Sequence, residues 1–191
     1  MIIVCFMHYK DFITPSIALI GSIIAIFQLY YLNKNRKADF IHRFKKDFFC
    51  ESTRHILFLI DLDLLTFSDP QSNQEYPYFK IDKNKLEKLP DVFIEYKNSA
   101  KKMNYTIDAF KIDEYLLGHF EDMGLFKKDR VMNLRYIYES FDWYIQITYD
   151  NSAIIKYIDW QERQENGEDV YEWFRYIAEQ CKKYGKKKNI K

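Results

Sequence analysis

Residues 13–32 read ITPSIALIGSIIAIFQLYYL, twenty positions without a charged side chain. A helix of that length, rising about 1.5 Å per residue, covers roughly 30 Å, the thickness of bilayer hydrocarbon. The stretch therefore predicts a single transmembrane helix. Thr14 is suited to cap its first turn and Pro15 to occupy the first helical position, where no amide hydrogen is needed. Tyr30 and Tyr31 close it with rings suited to the headgroup level, and Lys34, Arg36 and Lys37 follow at once.

Two rival readings of the stretch fare worse. A signal peptide wants a basic start and a small-residue cleavage site, whereas this chain opens MIIVCFMHY and keeps its charge behind the apolar run. A buried core helix rarely runs so long without a charge. Only Lys10 precedes the run, while six basic residues and Asp39 fall within 34–46. The basic side stays cytoplasmic, so the expected arrangement is a single pass through a bacterial inner membrane, with the N-terminus outside and the C-terminal domain in the cytoplasm.

Composition within the run points to more than anchoring. Ala18, Gly21, Ala25 and Gln28 recur at three- and four-residue steps, with Ser22 beside them, so the small and polar residues share one face. Small residues let helix backbones approach closely in lipid, and Ser or Gln can hydrogen-bond across such a contact. The face reads as a homo-oligomeric contact or, in a wider assembly, a pore lining; a plain anchor whose small face has no role is the alternative.

Outside the run, 16 Tyr, 16 Phe and 3 Trp against 5 Gly and 4 Pro favour long helices packed through aromatic rings. About 160 residues remain beyond the apolar run, enough for one domain with its own core. The expected division is a short extracytoplasmic leader at 1–12, the transmembrane helix at 13–32, a cytosolic helical domain at 33–181 and a polybasic tail at 182–191. The fold class is all-α: one membrane helix followed by a multi-helix bundle. The net charge of +1 hides an acidic body between two basic ends, the second being KKYGKKKNIK at 182–191. Lys34, Arg36, Lys37, Lys186, Lys187 and Lys188 are candidates for contact with anionic lipid. For the tail, a solvated, unstructured segment is the preferred reading over contact with lipid. No basic face recurs in the body, so no specific nucleic-acid partner is expected.

In chain order, Phe40, Ile41, Phe44 and Phe48 continue the helical spacing, predicting an unbroken stalk to about Phe49. Arg54–Phe67 reads as one buried helix; Asp61 and Asp63 within it point apart and are expected in solvent or paired with lysine. Residues 68–78, SDPQSNQEYPY, are the clear loop. Further helices are expected around Leu86 and Leu89; on the stripe Val92, Phe93, Tyr96, Ala100 and Met103; and after Asp108, closed by Gly124 as its C-cap. Three more should bury Val131–Tyr144, Ile154–Ile158 and Val170–Tyr184. Strand alternation does not persist anywhere.

Chemical motifs are missing from the sequence. There is no phosphate-binding glycine loop, no nucleophile elbow and no HExxH. Cys5, Cys50 and Cys181 are odd in number and widely spaced, which suggests free thiols rather than ligands. His119, Glu121 and Asp122, with Asp113 and Glu114 nearby, form the densest titratable cluster. A structural polar edge is the better reading for it than catalysis. No enzyme, cofactor or metal is expected.

The segments IDEYLLGHFEDMGLFKKDRV (112–131), YESFDWYIQ (138–146), IIKYIDW (154–160) and VYEWFRYIAEQ (170–180) resemble a group of small bacterial proteins of unknown function. That group has an N-terminal membrane helix and a helical cytosolic domain. The characteristic part is Phe120, Glu121, Asp122, Gly124, Leu125 and Phe126. In plan the chain is similar to the membrane effectors of Hailong anti-phage defence systems. That resemblance implies a homo-oligomeric, tetrameric ion channel controlled by a cyclic or oligomeric nucleotide from a partner nucleotidyltransferase.

Overall fold

The computed structural model describes the backbone of residues 2–70 and 76–188 and the side chains of residues 19–70 and 76–188. The chain divides into two units, Met1–Lys45 and Lys46–Lys191. Helix α1 spans Ile2–Phe48, so the expected stalk is continuous with the apolar run. Thr14 and Pro15 lie inside α1 rather than at its start; their side chains, with those of the leader and Ala18, are outside the described residues. Within the first unit Phe40 and Phe44 stack one turn apart, with ring centroids 6.3 Å apart. Among the described residues no helix is long and apolar enough to cross a membrane.

The second unit is mostly helical, built on α2 (Glu51–Asp61), α3 (Lys83–Glu87), α4 (Ile94–Lys102), α5 (Ala109–Ile112), α6 (Gly118–Lys128), α7 (Leu134–Tyr149), α8 (Ser152–Gln164) and α9 (Glu172–Lys188). Capping residues set many of its helix starts. Asp82, Asp108, Asn133 and Asn151 each accept a first-turn amide hydrogen, as their short polar side chains allow. A π turn over Asp113–Leu117 joins α5 to α6. It leaves the Tyr115 carbonyl to the buried Thr53 hydroxyl, which donates to it at 2.7 Å.

The helical reading of Arg54–Phe67 is corrected. α2 stops at Asp61, Asp63 turns left-handed at φ 49°, and Leu65–Ser68 form strand β1. With β2 (Tyr78–Ile81) and β3 (Thr106–Asp108) it makes a three-stranded antiparallel sheet in the order β1-β2-β3. Phe67 faces Phe79 and Leu65 faces Ile81 across one pair, and Phe79 faces Ile107 across the other. Strands of three or four residues hold only two inward positions each, too few for a period of two to be visible in sequence. Of the loop expected at 68–78, Ser68 ends β1 and Tyr78 begins β2, and residues 71–75 lie outside the described residues. Asp63 pairs with Lys85 at 3.8 Å, and Asp61 is exposed.

The core has two regions. On the sheet side, Phe79 of β2 meets Tyr157 of α8 edge-on at 5.5 Å, and Leu59, Leu64 and Leu86 are likewise nearly free of solvent contact. Between α6, α7 and α9 the Phe48 ring sits 5.2 Å from Phe141 and 5.6 Å from Phe120, and Phe120 stacks on Phe174 at 5.1 Å. Burying each such ring stabilises the fold by about 1.5–3 kcal/mol, so the aromatic-rich composition is expressed as core. Phe93, Tyr96 and Ala100 face inward as expected, but Val92 is 79% exposed. The lysine-rich end continues α9 to Lys188 instead of leaving it as an unstructured tail.

Candidate functional site

On α1, Gly21, Ser22, Ala25 and Gln28 are exposed, and Ala18 lies outside the residues with described side chains. A Cβ added at Gly21 would meet nothing within 4 Å, so packing inside the chain does not require the glycine. The flanking faces are equally open. From Leu19 to Leu32, ten large side chains, most of them aliphatic, are each 45–66% exposed. Full burial of such a side chain stabilises by about 1.5–3 kcal/mol, so on the order of 10 kcal/mol remains available to whatever covers the ten. Lys34, Arg36 and Lys37 are exposed and lie within about 8 Å of Leu32 along the helix axis.

The second basic group belongs to α9. Lys186, Lys187 and Lys188 occupy its last turn, where cations oppose the partial negative charge of the helix end. Lys188 also sits 5.6 Å from the Tyr138 ring centroid and 4.0 Å from Glu139. Gly185 is buried on the same helix, and a Cβ there would come within 2.9 Å of Tyr138 Oη, the end of a movable side chain.

The characteristic segment from Phe120 to Phe126 works as a packing and capping device. Glu121 Oε1 accepts the Phe174 amide hydrogen at 2.7 Å, satisfying an open amide in the first turn of α9. Burial holds the Glu121 carboxyl above the usual carboxylate range, against the lowering effect of the Phe174 and Trp173 amides. Gly124 is not a C-cap: it lies within α6, and a Cβ there would stand 2.7 Å from both the carbonyl carbon and the Cβ of Trp173. The absent side chain is what lets the start of α9 rest on α6. His119 meets Phe48 edge-on at 5.7 Å. Burial lowers the His119 pKa and raises that of Asp122, each partly offset by the other's charge.

Asp113 and Glu121 face different partners, so the titratable cluster is not one site. Asp113 Oδ2 accepts from Tyr157 Oη and Oδ1 from Tyr171 Oη, while Gln161 Nε2 donates to Tyr157 Oη at 2.7 Å. Burial pushes the Asp113 carboxyl up and the two phenols far up. Arg175 pairs with Glu162 and Asp169, tying the end of α8 to the beginning of α9. These bonds fix α8 and α9 against the π turn, a structural task that the spacing of Asp113, Tyr157 and Tyr171 in sequence did not reveal. Among the described residues no group of three His, Cys, Asp or Glu is placed to hold a metal ion. No family model matches the chain, and no curated protein or solved structure is similar to it.

Proposed function

We propose that the chain is a membrane effector: α1 enters the bacterial inner membrane, and copies associate through the face bearing Ala18, Gly21, Ser22, Ala25 and Gln28. The observation that carries this reading is the apolar surface of α1 from Leu19 to Leu32, which is exposed along its whole length within the first unit. Water does not satisfy such a surface, whereas hydrocarbon does at no polar cost, because a helix bonds its own backbone groups. The uncharged residues 13–18 extend the run to bilayer thickness. Lys34, Arg36 and Lys37 then meet the cytoplasmic headgroups. The resemblance to anti-phage membrane effectors supplies the rest of the reading. The assembled helices form or gate an ion-conducting pore, with Ser22 and Gln28 facing the path, under a nucleotide ligand made by a partner enzyme.

The test is reconstitution of the full chain in vesicles. Inserted protein should resist alkaline extraction, crosslink as an oligomer and conduct ions in at least one ligand state. Protein that stays soluble and monomeric without detergent ends the membrane reading. Inserted protein that never conducts leaves a non-conducting anchor for a recruiting domain. A swapped, unrelated membrane helix would then retain full activity.

A further inference from the structure

A cleft in the second unit is left unexplained by packing or by the membrane segment. It lies between α2, the end of α4, β3 and the π turn, with a cavity volume of about 210 Å³. Its floor is apolar: Ile56 and Ile107 are almost fully buried, and Met103 is half-buried beside them. Its walls and rim are polar, from Glu51, Ser52, His55, Ser99, Lys111 and Tyr115. Among the described residues, none of these six side chains makes a hydrogen bond or an ion pair within the chain. His55 Nε2 is buried without a hydrogen-bond partner, although its ring rests 5.5 Å from that of Tyr96.

Two buried polar side chains on the neighbouring helices are fully used. Thr53 donates to the Tyr115 carbonyl, and the Lys97 ammonium donates to the Glu87 and Leu89 carbonyls at 3.1 and 2.7 Å. A buried polar atom left without a partner costs about 1–3 kcal/mol, so such atoms need a reason. Here that atom is His55 Nε2; Glu51, Ser52 and Lys111 stand exposed around it, with the Glu51 charge acting on the imidazole. An orphaned buried nitrogen over an apolar floor, with one cation and one anion at the rim, is the pattern of a small-molecule site, and π turns are frequent at functional sites.

We infer that this cleft binds a small zwitterion with an apolar body, of which an apolar α-amino acid is the simplest member. Lys111 takes the carboxylate and Glu51 the ammonium, while the hydroxyls and His55 serve the remaining hydrogens and lone pairs. The apolar side chain lies on Ile56, Met103 and Ile107. The volume falls below the roughly 300–1,000 Å³ of sites for drug-sized ligands, which limits the occupant to about a dozen non-hydrogen atoms. One cation and one anion at the rim balance, an arrangement that disfavours a polyanion such as a nucleotide. The inference does not rest on α1 entering lipid, because every residue of the cleft belongs to the second unit.

The test uses the purified full chain in detergent, titrated with phenylalanine, leucine and methionine by calorimetry and thermal denaturation. Phenylpropionate, which lacks the ammonium, and phenethylamine, which lacks the carboxylate, are matched probes. At least one amino acid should bind with a Kd between about 10 μM and 1 mM and raise the melting temperature. Each single-charge probe should bind about ten-fold more weakly or worse. Lys111→Met and Glu51→Gln, both at exposed positions, should weaken amino-acid binding about ten-fold. Each should lower the unliganded melting temperature by no more than about 3 °C, Glu51→Gln through loss of the Glu51 charge from the first turn of α2. No saturable binding by any of the three up to about 10 mM overturns the inference. So does equal binding of the single-charge probes, or a nucleoside monophosphate binding more tightly than the amino acids.

Discussion

Replacing Gly124 by Ala adds one methyl group where α6 meets the start of α9. The new Cβ would stand 2.7 Å from the carbonyl carbon and the Cβ of Trp173, and closer still to the carbonyl oxygen, against 3.4–4 Å for ordinary contact. The carbonyl oxygen, the nearest atom, sets the relief, which requires the beginning of α9 to withdraw by about 1 Å or more, and backbone rather than a flexible side chain must yield. Overpacking of this kind costs about 1–3 kcal/mol. The same movement stretches the Glu121–Phe174 cap, worth about 1 kcal/mol, and opens the Phe120–Phe174 stack. Alanine returns about 1 kcal/mol of helix propensity. The net expectation is a loss of about 2–3 kcal/mol, which lowers the melting temperature of the second unit by roughly 5–10 °C. Denaturation of the detergent-solubilised full chain, followed by tryptophan fluorescence, measures it. Two further glycines calibrate the argument. Gly185→Ala meets first the Tyr138 hydroxyl, the end of a movable side chain, and should cost less than about 1 kcal/mol. Gly21→Ala meets nothing and should cost the fold nothing. A Gly124→Ala variant within about 0.5 kcal/mol of the parent, or one less damaged than Gly185→Ala, would refute the close-approach account.

Leucine at both Gly21 and Ala25 should leave α1 in the membrane but reduce crosslinked oligomer several-fold, since close helix approach in lipid needs small residues; unchanged crosslinking counts against the face. Burial raises the Asp113 pKa above its unfolded value of 3.8, so this group's contribution to stability is full below that value and is lost as pH rises through the raised pKa. Asp113→Asn should therefore remove that part of the decline in urea midpoint as pH rises above about 4, and an unchanged slope would show that the group does not carry it. Cys181 is buried and its thiol is pushed up to about 12, so in native protein it should resist iodoacetamide while half-buried Cys50 reacts. Peptide mapping after brief labelling checks the order, and labelling of Cys181 before unfolding contradicts it.

Much of the helical plan was legible because it rests on local rules. The spacing Phe174, Ile177, Cys181 and Tyr184 defines the inner face of α9, and Asp108 and Asn151 announce helix starts through side chains that reach their own first turns. Local rules also misled. Gly124 looked like a helix end because glycine is common there, yet its use is a contact with Trp173, distant in sequence. The sheet escaped notice because its three strands are too short to display alternation and are paired by neighbours that only the fold brings together.

The candidate sites divide in the same way. Sequence alone determined the uncharged run at 13–32, its small-residue face and the basic residues behind it, because hydrophobic length and helical spacing are properties of consecutive positions. Only the tertiary structure decided that Glu121 caps α9, that Asp113 joins Tyr157 and Tyr171, and that His55 and five further polar side chains gather over Ile56 and Ile107. Each of those depends on pairings between residues tens of positions apart. Such pairings are chosen by the packing of the whole unit, where burial and hydrogen bonding are satisfied together, and no window of the chain encodes them.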